Sequence, residues 1–146
     1  YPYSLKNSPK TKRNRIVLGI GGNEGDVELM FRKLFLHFRK NGRFSLIESS
    51  ALLKNPPFGY INQKDFLNAV LLLETNLSYY QLLGYIIYLE KRFWRVRSFK
   101  NAPRTLDIDI IFFNDLKVRR ENLDIPHKKW QERVSVALPL SFLKGF

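Results

Sequence analysis

Two aspartates one residue apart, Asp107 and Asp109, interrupt an otherwise apolar run, Leu106-Asp107-Ile108-Asp109-Ile110-Ile111-Phe112-Phe113. Apolar and acidic residues alternate, the period of a strand whose two faces meet different surroundings. Leu106, Ile108, Ile110 and Phe112 are expected on the core face. The two acids share the other, roughly 7 Å apart at a rise of ~3.3 Å per residue. Carboxylates so placed repel one another and lose hydration, so they need compensation. Hard divalent cations would supply it, and Mg²⁺ is usually held by few carboxylates plus substrate phosphates. The alternation alone equally allows a solvated edge strand with two surface acids.

Just before this run come Arg92, Arg95, Arg97, Lys100 and Arg104. Cations suit a helix C-terminus in any protein. Their order here, cations, then a loop, then two acids, is also what phosphoryl transfer requires, because its catalysis is mainly positioning and charge neutralisation. The turn Gly21-Gly22-Asn23-Glu24-Gly25-Asp26, taken with Gly19 before it, lacks the third glycine of the dinucleotide fingerprint, and no Gly-Lys-Ser/Thr follows. It reads as a tight strand-to-helix connection. His127 after Pro126 is of a type more often found on a surface or at a cap than in a site.

The elements that must position these residues follow from patterning. Residues 1–14 mix Pro, Ser, Asn and Lys without periodicity and are expected as a flexible basic arm, leaving 15–146 as a single domain. Arg15 to Ile20 predicts a strand. Asp26 predicts the N-cap of a helix to about Lys40, with Val27, Met30, Leu34 and Phe38 on one face. Phe44 to Leu53 predicts a second strand, broken by Asn55-Pro56-Pro57. Phe66 to Thr75 predicts a third, apolar nearly throughout. Ser78 and Gln81 form a capping box for a second helix carrying Leu82, Leu83, Ile86, Ile87 and Leu89. Strand, helix, strand, strand, helix, strand is the α+β, ferredoxin-like order: an antiparallel sheet with both helices on one face, here with a C-terminal extension.

The totals bound the class. The 146 residues carry 25 basic and 13 acidic side chains, for a net charge of +12. Five of the cations, and no acid, fall in the first fifteen residues. Such a balance is compatible with nucleic acid, an anionic surface or a polyphosphate substrate. With 45% hydrophobic and 14% aromatic residues, the chain is not of disordered composition. The absence of cysteine excludes disulfides and thiolate metal sites, and is compatible with a cytoplasmic location. No apolar run reaches the ~20 residues of a membrane helix.

Ala102-Pro103-Arg104-Thr105-Leu106-Asp107-Ile108-Asp109-Ile110 resembles the signature of the 6-hydroxymethyl-7,8-dihydropterin pyrophosphokinase family of folate biosynthesis. Leu18 to Asp26 is similar to that family's opening strand and turn. Asn55-Pro56-Pro57-Phe58-Gly59, with Asp65 to Val70, is similar to its pterin-side segment. Pro126-His127 and Leu138-Pro139-Leu140 match in order, so the resemblance runs from about Arg15 to Phe146.

The resemblance implies the ferredoxin-like fold and the transfer of the β,γ-diphosphate of ATP to the pterin hydroxymethyl group, releasing AMP. It implies that Asp107 and Asp109 bind two Mg²⁺ ions, with ATP as co-substrate, and that Arg95 and Arg104 clamp the phosphates. Glu90, Arg97, Ile110 and His127 fall at its ATP-contacting positions. Asn55, Pro56, Phe58, Phe66 and Asn68 fall at its pterin-contacting positions, with Phe66 placed to stack on the ring. Ser135 stands where the family often has a second aromatic. A monomer with small-molecule substrates and no membrane partner is expected. The alternatives are a basic nucleic-acid-binding module on the same plan and a family member without turnover. The former lacks an RNA-recognition signature and would put acids on its binding face.

Overall fold

Nine consecutive residues, Asn14–Gly22, form the strand on which the sheet is built, β2. The computed structural model describes residues 3–4, 14–23, 25–55, 65–92, 106–116, 118–120 and 123–125. Around β2 the chain places β1 (Tyr3–Ser4), α1 (Val27–Lys40), β3 (Phe44–Ser49), β4 (Leu53–Asn55), β5 (Phe66–Thr75), α2 (Tyr79–Arg92), β6 (Asp107–Phe113), β7 (Val118–Arg120) and β8 (Leu123–Ile125). The main sheet runs β1-β3-β5-β2-β6, with β4 also paired to β5, and every pairing is antiparallel. This is the ferredoxin-like order expected from the element sequence. β7 and β8 form a separate hairpin, so the segment after Asn114 supplies strands there. No helix among the described residues is long and apolar enough to cross a membrane.

The core lies between one sheet face and the helices. Ile16, Leu18 and Ile20 of β2, Ala69, Leu71 and Leu73 of β5, and Ile108 and Ile110 of β6 meet Phe31, Leu34 and Phe38 of α1 and Leu82, Ile86 and Leu89 of α2. Each of the larger of these side chains, the leucines, isoleucines and phenylalanines, contributes about 1.5–3 kcal/mol on burial. The other face carries a smaller apolar cluster of Val17, Val70, Leu72 and Ile111. The caps are as their sequences require. The Asp26 carboxylate accepts from Leu29 N–H at 3.1 Å, and Ser78 and Gln81 exchange bonds of 2.9 and 3.2 Å. Asn114, in the left-handed region at φ 49°, closes the far end of β6. Its side chain accepts from Arg15 N–H at 2.7 Å and donates to Asn14 Oδ1 at 3.0 Å.

The structure corrects three details. Phe112 was expected on the core face, but Phe113 takes that place and Phe112 packs on the opposite side. The register with β2 slips between Val17 and Leu18, so β6 carries one extra residue and its alternation reverses. The strand expected from Phe44 to Leu53 is two strands, with Ser50 between them donating its N–H to the Val70 carbonyl and accepting from Val70 N–H at its hydroxyl, both at 2.9 Å. Phe31, rather than Met30, joins Val27, Leu34 and Phe38 as the buried residues of α1. Ile87 is 46% exposed, because the buried stripe of α2 follows Leu82, Ile86 and Leu89, and position 87 is rotated ~100° from its neighbour.

Between the helices His37, Asn41 and Tyr85 form a polar cluster. His37 Nε2 is hydrogen-bonded to the Tyr85 hydroxyl, and Asn41 Nδ2 donates to the same hydroxyl at 2.7 Å. The Arg92 guanidinium lies 3.5 Å from His37 Nδ1. Partial burial, and then the Arg92 charge, lowers the His37 pKa below 6.5.

Candidate active site

The face of the sheet turned away from the helices brings the expected residues of two distant segments together. Antiparallel register sets Asp107 of β6 opposite Gly21 of β2, Gly21 opposite Asn68 of β5, and Asn68 opposite Leu53 of β4. One step along, Asp109 pairs with Gly19, and Gly19 with Val70. Residues in register across a sheet share a face. Asp107 and Asp109 therefore stand on one side of a strip floored by two glycines, and Asn68 stands on the other. Two interstrand spacings put Asn68 and Asp107 roughly 10 Å apart. Phe66 lies two residues before Asn68 on the same face and pairs with Asn55. Phe66, Asn68, Asp107 and Asp109 are all half-buried.

Glu90, in the last turn of α2, holds the acidic strand from outside. The residue is only 6% exposed, and its carboxylate accepts from the Ile108 N–H at 3.0 Å. Ile108 is the residue between the two aspartates. Neighbouring residues of a strand direct their N–H groups to opposite edges. Asp107 and Asp109 can thus pair with β2 while Ile108 is held by α2. Spacing alone did not reveal this contact; the signal was an acid in the buried stripe of α2, one residue after Leu89.

Among the described residues no group of three or more His, Cys, Asp or Glu is clustered to hold a metal. Asp107 and Asp109 offer two hard oxygen donors on a half-buried face beside an open floor. That donor set suits Mg²⁺, which takes one or two carboxylates and completes its shell with water and phosphate oxygens. It does not suit zinc, which prefers closed nitrogen and sulfur sets.

Comparison with known proteins bears on the chain as a whole. Residues 17–145 match the family model of 7,8-dihydro-6-hydroxymethylpterin-pyrophosphokinase. The chain belongs to that family. It is 45% identical over 130 residues to the 2-amino-4-hydroxy-6-hydroxymethyldihydropteridine pyrophosphokinase of Helicobacter pylori, covering 88% of this chain and 80% of that one. It is 44% identical over 144 residues to the enzyme of the same name from Campylobacter jejuni, covering 98% and 90%. The Bacillus subtilis protein of that name is 30% identical over 128 residues, covering 88% and 77%.

Of the positions that the pyrophosphokinase resemblance singles out, the sheet gathers Asp107, Asp109, Asn68 and Phe66 onto one face at one end, and the backbone of Asn55 pairs with that of Phe66. Glu90 stands behind that face. Ile110 points the other way, 5% exposed in the core, which leaves its backbone as the part a ligand could meet. Arg95, Arg97, Arg104, His127, Pro56 and Phe58 lie outside the described residues, as does Ser135. The glycine floor, Gly19 and Gly21, does not stand out in the sequence, where the strand is expected to end at Ile20 and Gly21 to open the turn after it, whereas β2 continues through Gly22. Their spacing of two inside an apolar strand was the available signal, because it strips one face of side chains.

Proposed function

We propose that this face performs the family's reaction with the residues in the following roles. The chain is an ATP-dependent pyrophosphokinase of folate biosynthesis. It transfers the β,γ-diphosphate of ATP to the hydroxymethyl oxygen of 6-hydroxymethyl-7,8-dihydropterin and releases AMP. The observation that carries the assignment of roles is the register Asp107–Gly21–Asn68, which sets a carboxylate and an amide on opposite sides of a floor without side chains.

Asn68 pairs with the edge of the pterin, since an amide offers donor and acceptor together. Phe66 covers one ring face, and Asn55, Pro56 and Phe58 complete that end. Asp107 and Asp109 would hold two Mg²⁺ ions, which would supply charge neutralisation and Lewis-acid polarisation for the phosphoryl oxygens. Arg95 and Arg104 clamp the phosphates by bidentate contacts, Arg97, Ile110 and His127 serve the nucleotide end, and Glu90 braces the strand between the two aspartates. The hydroxymethyl oxygen bonds to the β-phosphorus and loses its proton as the link to the α-phosphate breaks, and the bridging oxygen departs with AMP. Holding the two substrates in line is the main contribution of these side chains. Every role falls within residues 15–146 of one chain, so a monomer suffices.

The test is AMP formation from ATP by the purified full chain, with and without the pterin and with Mg²⁺ varied. AMP that requires both supports the reading. AMP without pterin, or no dependence on a divalent cation, contradicts it.

A further inference from the structure

Gly21 has no conformational reason to be glycine. It lies in the paired interior of β2, between Asn68 and Asp107, and Gly25 is the described glycine with a positive φ. An interior strand position ordinarily gains from a side chain. What a side chain would meet here is specific. A Cβ at position 21 would sit 2.6 Å from Asn68 Oδ1, far inside contact, while Asn68 Cγ and the Leu67 carbonyl oxygen would both be at 3.6 Å, an ordinary separation. The obstruction is the far end of one flexible side chain. An alanine can be accommodated by turning the Asn68 amide, with the backbone left in place.

We propose that Gly21 is a positioning and specificity-determining residue for the pterin: its bare Cα lets the Asn68 amide lie flat across the sheet, in the orientation that reads a ring edge with adjacent donor and acceptor. This rests on the assignment of Asn68 to the pterin made above. An amide reads such an edge only in the right plane, so turning it forfeits the paired hydrogen bonds. The loss falls on the acceptor substrate and leaves the nucleotide end untouched.

The test is a double-mutant cycle on the full chain with Gly21→Ala, Asn68→Ala and the two combined, reading KM for each substrate, kcat and the thermal midpoint. Gly21→Ala is expected to melt close to the parent, to raise the pterin KM about tenfold, and to leave the ATP KM unchanged. The double variant is expected to bind pterin no worse than Asn68→Ala alone, because the only group Gly21 positions is already gone. A tenfold effect in Asn68→Ala with none in Gly21→Ala would overturn the inference alone, as would additive effects. An unchanged pterin KM in Asn68→Ala would overturn the assignment of Asn68 and this inference with it. Loss of folding in Gly21→Ala that Asn68→Ala does not relieve would also overturn it, since the contact at issue is with the amide.

Discussion

Replacing Glu90 by alanine removes the carboxylate that holds Ile108 N–H at 3.0 Å in a buried position. A buried N–H left without an acceptor costs about 1–3 kcal/mol. In a domain of this size each kcal/mol lowers Tm by roughly 2–4 °C, so a fall of roughly 2–12 °C is expected. Glu90→Gln keeps an oxygen acceptor of the same reach and should lose about 1 kcal/mol or less. Because Ile108 separates Asp107 from Asp109, slack in this segment displaces both carboxylates. A misplacement near 1 Å can lower turnover ~100-fold. Glu90→Ala should therefore lose kcat by between ten- and a hundredfold, with Glu90→Gln closer to the parent. The assays are thermal unfolding and steady-state AMP release. A Glu90→Ala variant with unchanged Tm and kcat and a raised KM for ATP alone would refute the brace and make Glu90 a direct nucleotide contact.

Other expectations concern the frame of the site. His37, whose pKa is lowered by burial and by Arg92, is favoured in its neutral form by folding. The unfolded chain therefore binds the proton more readily, and stability falls as pH drops below the unfolded value of 6.5. His37→Gln should flatten the dependence of Tm on pH between about 7 and 5, and an unchanged slope would remove His37 from the account. Asn114→Ala loses two side-chain hydrogen bonds and strains a residue at φ 49°, for about 1–3 kcal/mol. Asn114→Gly keeps that conformation and should recover part of the loss in a denaturant titration.

Where a residue's role depends on local chemistry, the sequence was sufficient. The Asp26 cap, the Ser78–Gln81 box and the bounds of Phe66–Thr75 all appear as expected. The acid-bearing strand was legible from alternation until Ile111, where an extra residue against β2 reversed the faces and moved Phe112 out of the core. A bulge depends on the partner strand, so one strand's pattern does not announce it. The same reason hid the site's floor. Gly21, Asn68 and Asp107 are far apart in the chain and meet only through the pairing of β2 with both β5 and β6. Glu90 was assigned by resemblance to the nucleotide, and only the packing of α2 beside β6 put its carboxylate on Ile108.

The most direct measurement is turnover by Asp107→Asn and Asp109→Asn, followed as pterin-dependent AMP release over a wide range of Mg²⁺ concentration, beside the thermal midpoint of each. Asparagine keeps the size of the side chain and removes the charge. The account expects both variants to melt near the parent and to lose turnover by about a hundredfold or more, with the residual activity shifted to higher Mg²⁺. A folded variant of either aspartate with near-parental AMP release and an unchanged Mg²⁺ dependence would contradict the claim that these two carboxylates hold the metal and, through it, the triphosphate.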